Sequence, residues 1–186
     1  LQLIKNDDHF RDHFFRRLIT IKWLDPLKEK GYFLPENAPS HIPSGQEGFF
    51  TIPEWNVLPY LEKVSTQANA PGDERYIDEL LSIIREVTHY HVSHDKCLDN
   101  YRTWWYLVKI LLNLPNSKII FDDIKFISIW LDSKFDNTLQ GADIAKKLLP
   151  KFLDSDDPED WEKAEKIVEI ITDIRWVPLP EEKANV

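Results

Sequence analysis

The sequence predicts an all-α chain built as a HEAT-like stack of antiparallel helix pairs, and three observations carry that prediction. First, apolar helical stretches recur at near-constant spacing. Their central residues Leu61, Ile84, Leu107, Trp130, Leu149 and Ile170 stand 23, 23, 23, 19 and 21 residues apart. Two neighbours therefore make a unit of roughly 40–46 residues, the length of one helix pair in HEAT or armadillo arrays. Second, the stretches open on Thr, Asp or Pro and stop at Pro or Gly, as at Pro71-Gly72-Asp73, Pro115 and Asp157-Pro158. Third, no strand is indicated outside Phe49–Ile52. An irregular α-helical bundle with the same helices is the alternative architecture.

The elements follow in order. Residues 7–18 predict an amphipathic helix: Phe10, Phe14 and Leu18 recur every four residues, and Asp7 and Asp8 favour the positive end of the helix dipole. A short helix over Ile21–Lys30 ends at Gly31 and sets Trp23, Leu24 and Leu27 against the first. Residues 34–50 hold three prolines and two glycines, which forbid a helix, and the Phe49-Phe50 pair is expected to pin this loop to the body. Thr51-Ile52-Pro53-Glu54 reads as a capping box opening a helix that runs to about Gln67, bent or restarted at Pro59. After Pro71-Gly72-Asp73 comes a helix apolar on most faces, from Tyr76 to Val87, expected in the interior. Asp99-Asn100 start a helix from Tyr101 to Leu114. Asp122-Asp123 open Ile124–Leu131, and another helix runs near Ala142–Leu153. Asp157 then caps a last helix that carries Trp161, Ala164, Ile167, Val168 and Ile171 inward. Residues 1–180 make one domain, with 181–186 a frayed tail.

Composition bounds the function. A chain of 186 residues with 42% hydrophobic residues can bury a sizeable core. A net charge of -9 opposes the phosphate-neutralising surface that nucleic-acid binding requires. The charge is lopsided. The first 34 residues carry seven Lys/Arg against five Asp/Glu, whereas residues 153–173 carry nine acids against two lysines. The basic start keeps nucleic-acid binding as an alternative, and the acidic end is explained as a solvated helix face. One cysteine, Cys97, excludes an internal disulfide framework and fits a reducing, cytoplasmic setting. No run is apolar enough to span a membrane. With no methionine and a start at Leu1, the chain is expected to be a piece of something longer.

Three clusters are candidates for chemistry. His89, His91, His94 and Cys97 are donor types that zinc prefers, but their spacing lacks the paired cysteines of a structural finger. The expectation is therefore no metal and no cofactor, with a metal-dependent enzyme on these four residues as an alternative. His9 and His13 are four apart, yet Phe10 stands where a zincin needs its glutamate base. Among Asp154, Asp156, Asp157, Glu159 and Asp160 there is no glycine for a calcium loop, and helix capping accounts for Asp157 and Asp160. No Gly-rich phosphate loop or G-x-S-x-G occurs. The Trp104-Trp105 pair, flanked by Tyr101 and Arg102, is read mainly as core, with Tyr101, Arg102 and Trp105 as partner contacts on its outer side. His41, Phe49 and Phe50 are the contact candidates in the loop. The expected role is a non-catalytic interaction or scaffold module whose partner is another protein or another domain of the same chain.

Residues 14–115 resemble a helical segment of large bacterial multidomain proteins. The likeness rests on Phe15-Arg16-Arg17-Leu18, on Lys22-Trp23-Leu24-Asp25-Pro26-Leu27 through Phe33, on Pro53-Glu54-Trp55, Tyr60-Leu61 and Asp99-Asn100-Tyr101-Arg102. In such proteins a helical-repeat region accompanies an enzymatic module. The resemblance implies a spacer or recognition part and carries over no active-site residue.

Overall fold

The computed structural model describes residues 8–39, 42–43, 45, 50–51, 55–93, 101–124 and 138–173. The fold is all-α. Its helices are α1 (Asp8–Arg17), α2 (Leu24–Glu29), α3 (Val57–Ser65), α4 (Arg75–Ser93), α5 (Tyr101–Asn113), α6 (Thr138–Leu153) and α7 (Pro158–Asp173). Three 3-10 turns join them, Ile21–Trp23, Pro35–Asn37 and Asn116–Lys118, and one further helical turn covers residues 121–124. Among the described residues the only strand pairing is the two-residue antiparallel bridge of Ile42–Pro43 with Phe50–Thr51.

That bridge corrects the expected start of α3. Thr51 pairs with Ile42 in the bridge, and Trp55 and Asn56 stand outside the helix, so α3 begins only at Val57. Pro59 then falls in the first turn, where its missing N–H has no intrahelical partner to lose, and no bend is needed.

Alternate helices are neighbours through α1, α3 and α5, and consecutive ones from α5 to α7. α1 packs on α3, α3 on α5, α5 on α6 and α6 on α7. A second set of contacts centres on α4, which meets α3 and the Pro35–Asn37 turn. Ion pairs extend that set: Arg75 to Asp25 at 3.0 Å and Lys28 to Glu79 tie α4 to α2, while Lys118 to Asp78 at 3.0 Å and Arg85 to Asp123 at 2.6 Å tie it to residues 118–123. The three exposed pairs contribute about 0–1 kcal/mol each and report proximity more than stability, whereas Arg85 grips a buried Asp123 carboxylate with two nitrogens.

The core explains why α4 holds its place. Tyr76, Ile77, Leu80, Leu81, Ile83, Ile84 and Val87 are all buried, each apolar side chain contributing about 1.5–3 kcal/mol. Asp78, Ser82, Glu86 and His89 form an exposed stripe on the same helix. The expected fully interior helix is therefore a half-buried one. At the chain start, Phe15 is the hub of an aromatic cluster with Phe14, Tyr32 and Tyr60.

Long polar side chains finish the helix ends. Lys63 Nζ donates to the Arg16 carbonyl at 2.7 Å, satisfying an orphan group at the end of α1. Gln67 Nε2 donates to the Ile19 carbonyl, and its Oε1 accepts from Ile21 N, so the turn after α3 clamps the α1–α2 linker. Gly31, expected as the cap of the second helix, sits at φ 73°. A Cβ there would lie 2.9 Å from Leu34 Cδ1. Gly31→Ala is expected to lower stability by about 1–2 kcal/mol, from left-handed strain plus the contact. Urea unfolding measures it, and an unchanged midpoint would contradict the geometry.

Candidate functional site

The sequence-derived contact residues do not assemble into one described site. His41 and Phe49 lie outside the described residues. Of Phe50, Tyr101 and Arg102 only the backbone is described, Phe50 in the bridge and the other two in the first turn of α5. Trp105 is half-buried, with Lys147 Nζ 4.4 Å and Lys109 Nζ 5.2 Å from its ring centroid. Lys109 also stands 3.8 Å from Glu62. This ring is thus already engaged by the chain's own cations. The side chain of Trp104 is outside the description.

Of the histidine–cysteine cluster, His89 is exposed on α4, His91 is described only as helical backbone, and His94 and Cys97 lie outside the described residues. His9 and His13 are exposed on α1. Among the described residues no group of three His, Cys, Asp or Glu side chains is arranged to hold a metal ion, and no helix is long and apolar enough to cross a membrane.

The best-built polar arrangement is one the sequence reading explained differently. Asp160 is buried, not a solvated first-turn residue. Its Oδ1 accepts from Lys163 Nζ at 2.9 Å and its Oδ2 from Asn116 Nδ2 at 2.8 Å. Lys163 Nζ also donates to the Asn116 carbonyl, and Asn116 Nδ2 to the Lys151 carbonyl. Lys151 Nζ in turn donates to the Leu112 and Leu114 carbonyls, closing the end of α5. Burial alone would raise the Asp160 pKa. The hydrogen bonds from Lys163, Asn116 and Ser155 and the Lys163 charge outweigh it, and the net shift is downward. Burial pulls Lys151 below the ordinary lysine range, Asp160 partly opposing it. These hydrogen bonds join the ends of α5, α6 and α7.

Asp157 caps α7 as expected, its Oδ1 accepting from Glu159 N at 3.0 Å. Trp161, expected inward, is 54% exposed instead. Its Nε1 donates to the Ser155 carbonyl at 2.7 Å, so the ring is fixed across the start of α7 while much of its surface faces water. Comparison with protein-family models, with curated proteins and with solved structures finds no match to this chain.

Proposed function

We propose that this chain is a non-catalytic protein-interaction module, a HEAT-like stack of helix pairs within a larger bacterial polypeptide of the cytoplasm. The observation that carries the interaction reading is the placement of three large aromatic side chains. Trp23, Phe121 and Trp161 stand 37%, 41% and 54% exposed on elements whose other faces are packed. Exposed aromatics on a fixed frame are favoured contact anchors, because they bury much area for little lost freedom.

The neighbour order supports the stack. In an array of pairs, first helices pack on first helices and second on second. α1, α3 and α5 are consecutive neighbours, and α2, α4 and residues 118–123 are linked by the ion pairs described. The resemblance to helical segments of multidomain proteins and the single cysteine agree with the setting.

The test is capture from native lysate by the immobilised chain, set against Trp23→Ala/Phe121→Ala/Trp161→Ala with helix content matched by circular dichroism. A partner retained by the native chain and reduced about tenfold or more by the triple variant is the expected result. Equal retention by both chains would sink the reading.

A further inference from the structure

We propose that the α6–α7 hairpin is a docking surface for a lysine- or arginine-rich segment of a partner protein, seated on Trp161. This rests on the interaction-module reading and adds the chemistry of the partner.

The apolar element comes first. Trp161 is the most exposed tryptophan among the described residues, and Leu153 at the end of α6 is 38% exposed. The Ser155 hydrogen bond holds the indole before any ligand arrives, so little side-chain freedom is lost on contact. A tryptophan face is the best side-chain surface for a cation, above all for a guanidinium that can stack.

Charge complementarity names the occupant. Asp154, Asp156, Glu159, Glu162 and Glu165 are exposed on the same hairpin, and among the described residues none of them forms an ion pair. Glu165 follows Trp161 by four residues and therefore lies on the same strip of α7. The cations that the sequence puts nearby are committed elsewhere. Lys163 is buried on Asp160, Lys151 points at the carbonyls ending α5, and Lys166 pairs with Glu169 at 2.5 Å. With both lysines of residues 153–173 paired, the remaining acids there have no cation of that segment to offset them. An aromatic platform on a hairpin of net negative surface repels acidic segments and attracts basic ones.

The test uses the whole chain and a fluorescein-labelled peptide of alternating arginine and leucine, with a glutamate–leucine peptide as control, read by fluorescence anisotropy. The expected result is saturable binding of the arginine peptide alone, weakening as salt rises. Trp161→Ala should weaken it about tenfold, and Glu162→Gln/Glu165→Gln about threefold to tenfold. The glutamine pair touches no hydrogen bond of the fold, so it carries the test even if Trp161→Ala unfolds the hairpin. Equal binding of both peptides, or affinity indifferent to both variants, overturns the proposal. So does self-association on sedimentation that Trp161→Ala abolishes, which would assign the face to a second copy. If lysate capture depends on Trp23 and Phe121 while Trp161→Ala captures normally, this proposal fails and the module reading stands; if the triple variant captures like the native chain, the module reading itself fails.

Discussion

Lys163→Ala is expected to destabilise the chain by about 3–5 kcal/mol, because it strips the counter-charge from a buried carboxylate. Asp160 and Lys163 side chains are only 4% and 7% exposed, and their bond is 2.9 Å long. Without the ammonium, Asp160 keeps Asn116 but loses its hydrogen-bonded counter-charge, and the Asn116 carbonyl loses its donor. The pH dependence has a definite sign. The folded pKa of Asp160 is depressed, so its stabilisation is present above the unfolded value of about 3.9 and is lost as pH falls through the folded one. Lys163→Ala removes the main cause of that depression. The gap between native and variant should therefore be widest at neutral pH and shrink toward pH 3, where the variant's carboxyl is neutral. Asp160→Leu/Lys163→Met, which removes both charges, should come within about 1–2 kcal/mol of native. Guanidinium unfolding at pH 7 and pH 3 decides it. A neutral-pH loss below about 1 kcal/mol would mean the pair is solvated and unimportant.

The same pair shows where local reading of the sequence stops. Asp157 was legible as a cap because the signal lies within three residues: an acid, then Pro158, then a helical pattern. Asp160 carries an equally local signal as a first-turn acid, and that signal misleads. Its true partners are Lys163, one turn on, and Asn116, 44 residues back. Asn116 arrives there only because the turn after α5 meets the end of α6, and nothing near Asp160 in sequence announces it. With Asp160 on the inner face, Trp161 is set about 100° round the helix and outward, which reverses its expected burial. The helices themselves were legible from period and punctuation at α1, α4, α5 and α7. The start of α3 was not: the capping-box signal at Thr51 is equally local, yet Trp55 and Asn56 stand outside the helix, which opens at Val57. Gly31 was legible because a left-handed cap is a purely local need.

Phe15→Ala is expected to cost about 3–5 kcal/mol, and the shape of the loss bears on the architecture. Phe15 is fully buried. Its ring centroid lies 5.4 Å from that of Phe14, 5.8 Å from Tyr32 and 6.1 Å from Tyr60, so the cavity left by alanine is walled by aromatic rings that cannot collapse freely. Tyr60 is held there by its own bond, the hydroxyl donating to the Thr20 carbonyl at 3.2 Å, and its burial pushes the phenol well above the usual range. α1 stands at one end of the α1–α3–α5–α6–α7 order, and α2 follows it in the chain. In a stack of pairs, stability is a sum of unit and nearest-neighbour terms, so damage at one end is felt at that end. Hydrogen exchange on Phe15→Ala should then show α1 and α2 opening early while α6 and α7 keep native protection, with a broadened denaturant transition. In an irregular bundle around one core, all the described helices would lose protection together and the transition would shift without broadening. The uniform outcome would end the stacked-pair reading and leave the all-α fold, because only a unit that contacts its neighbours alone can be loosened without loosening the rest.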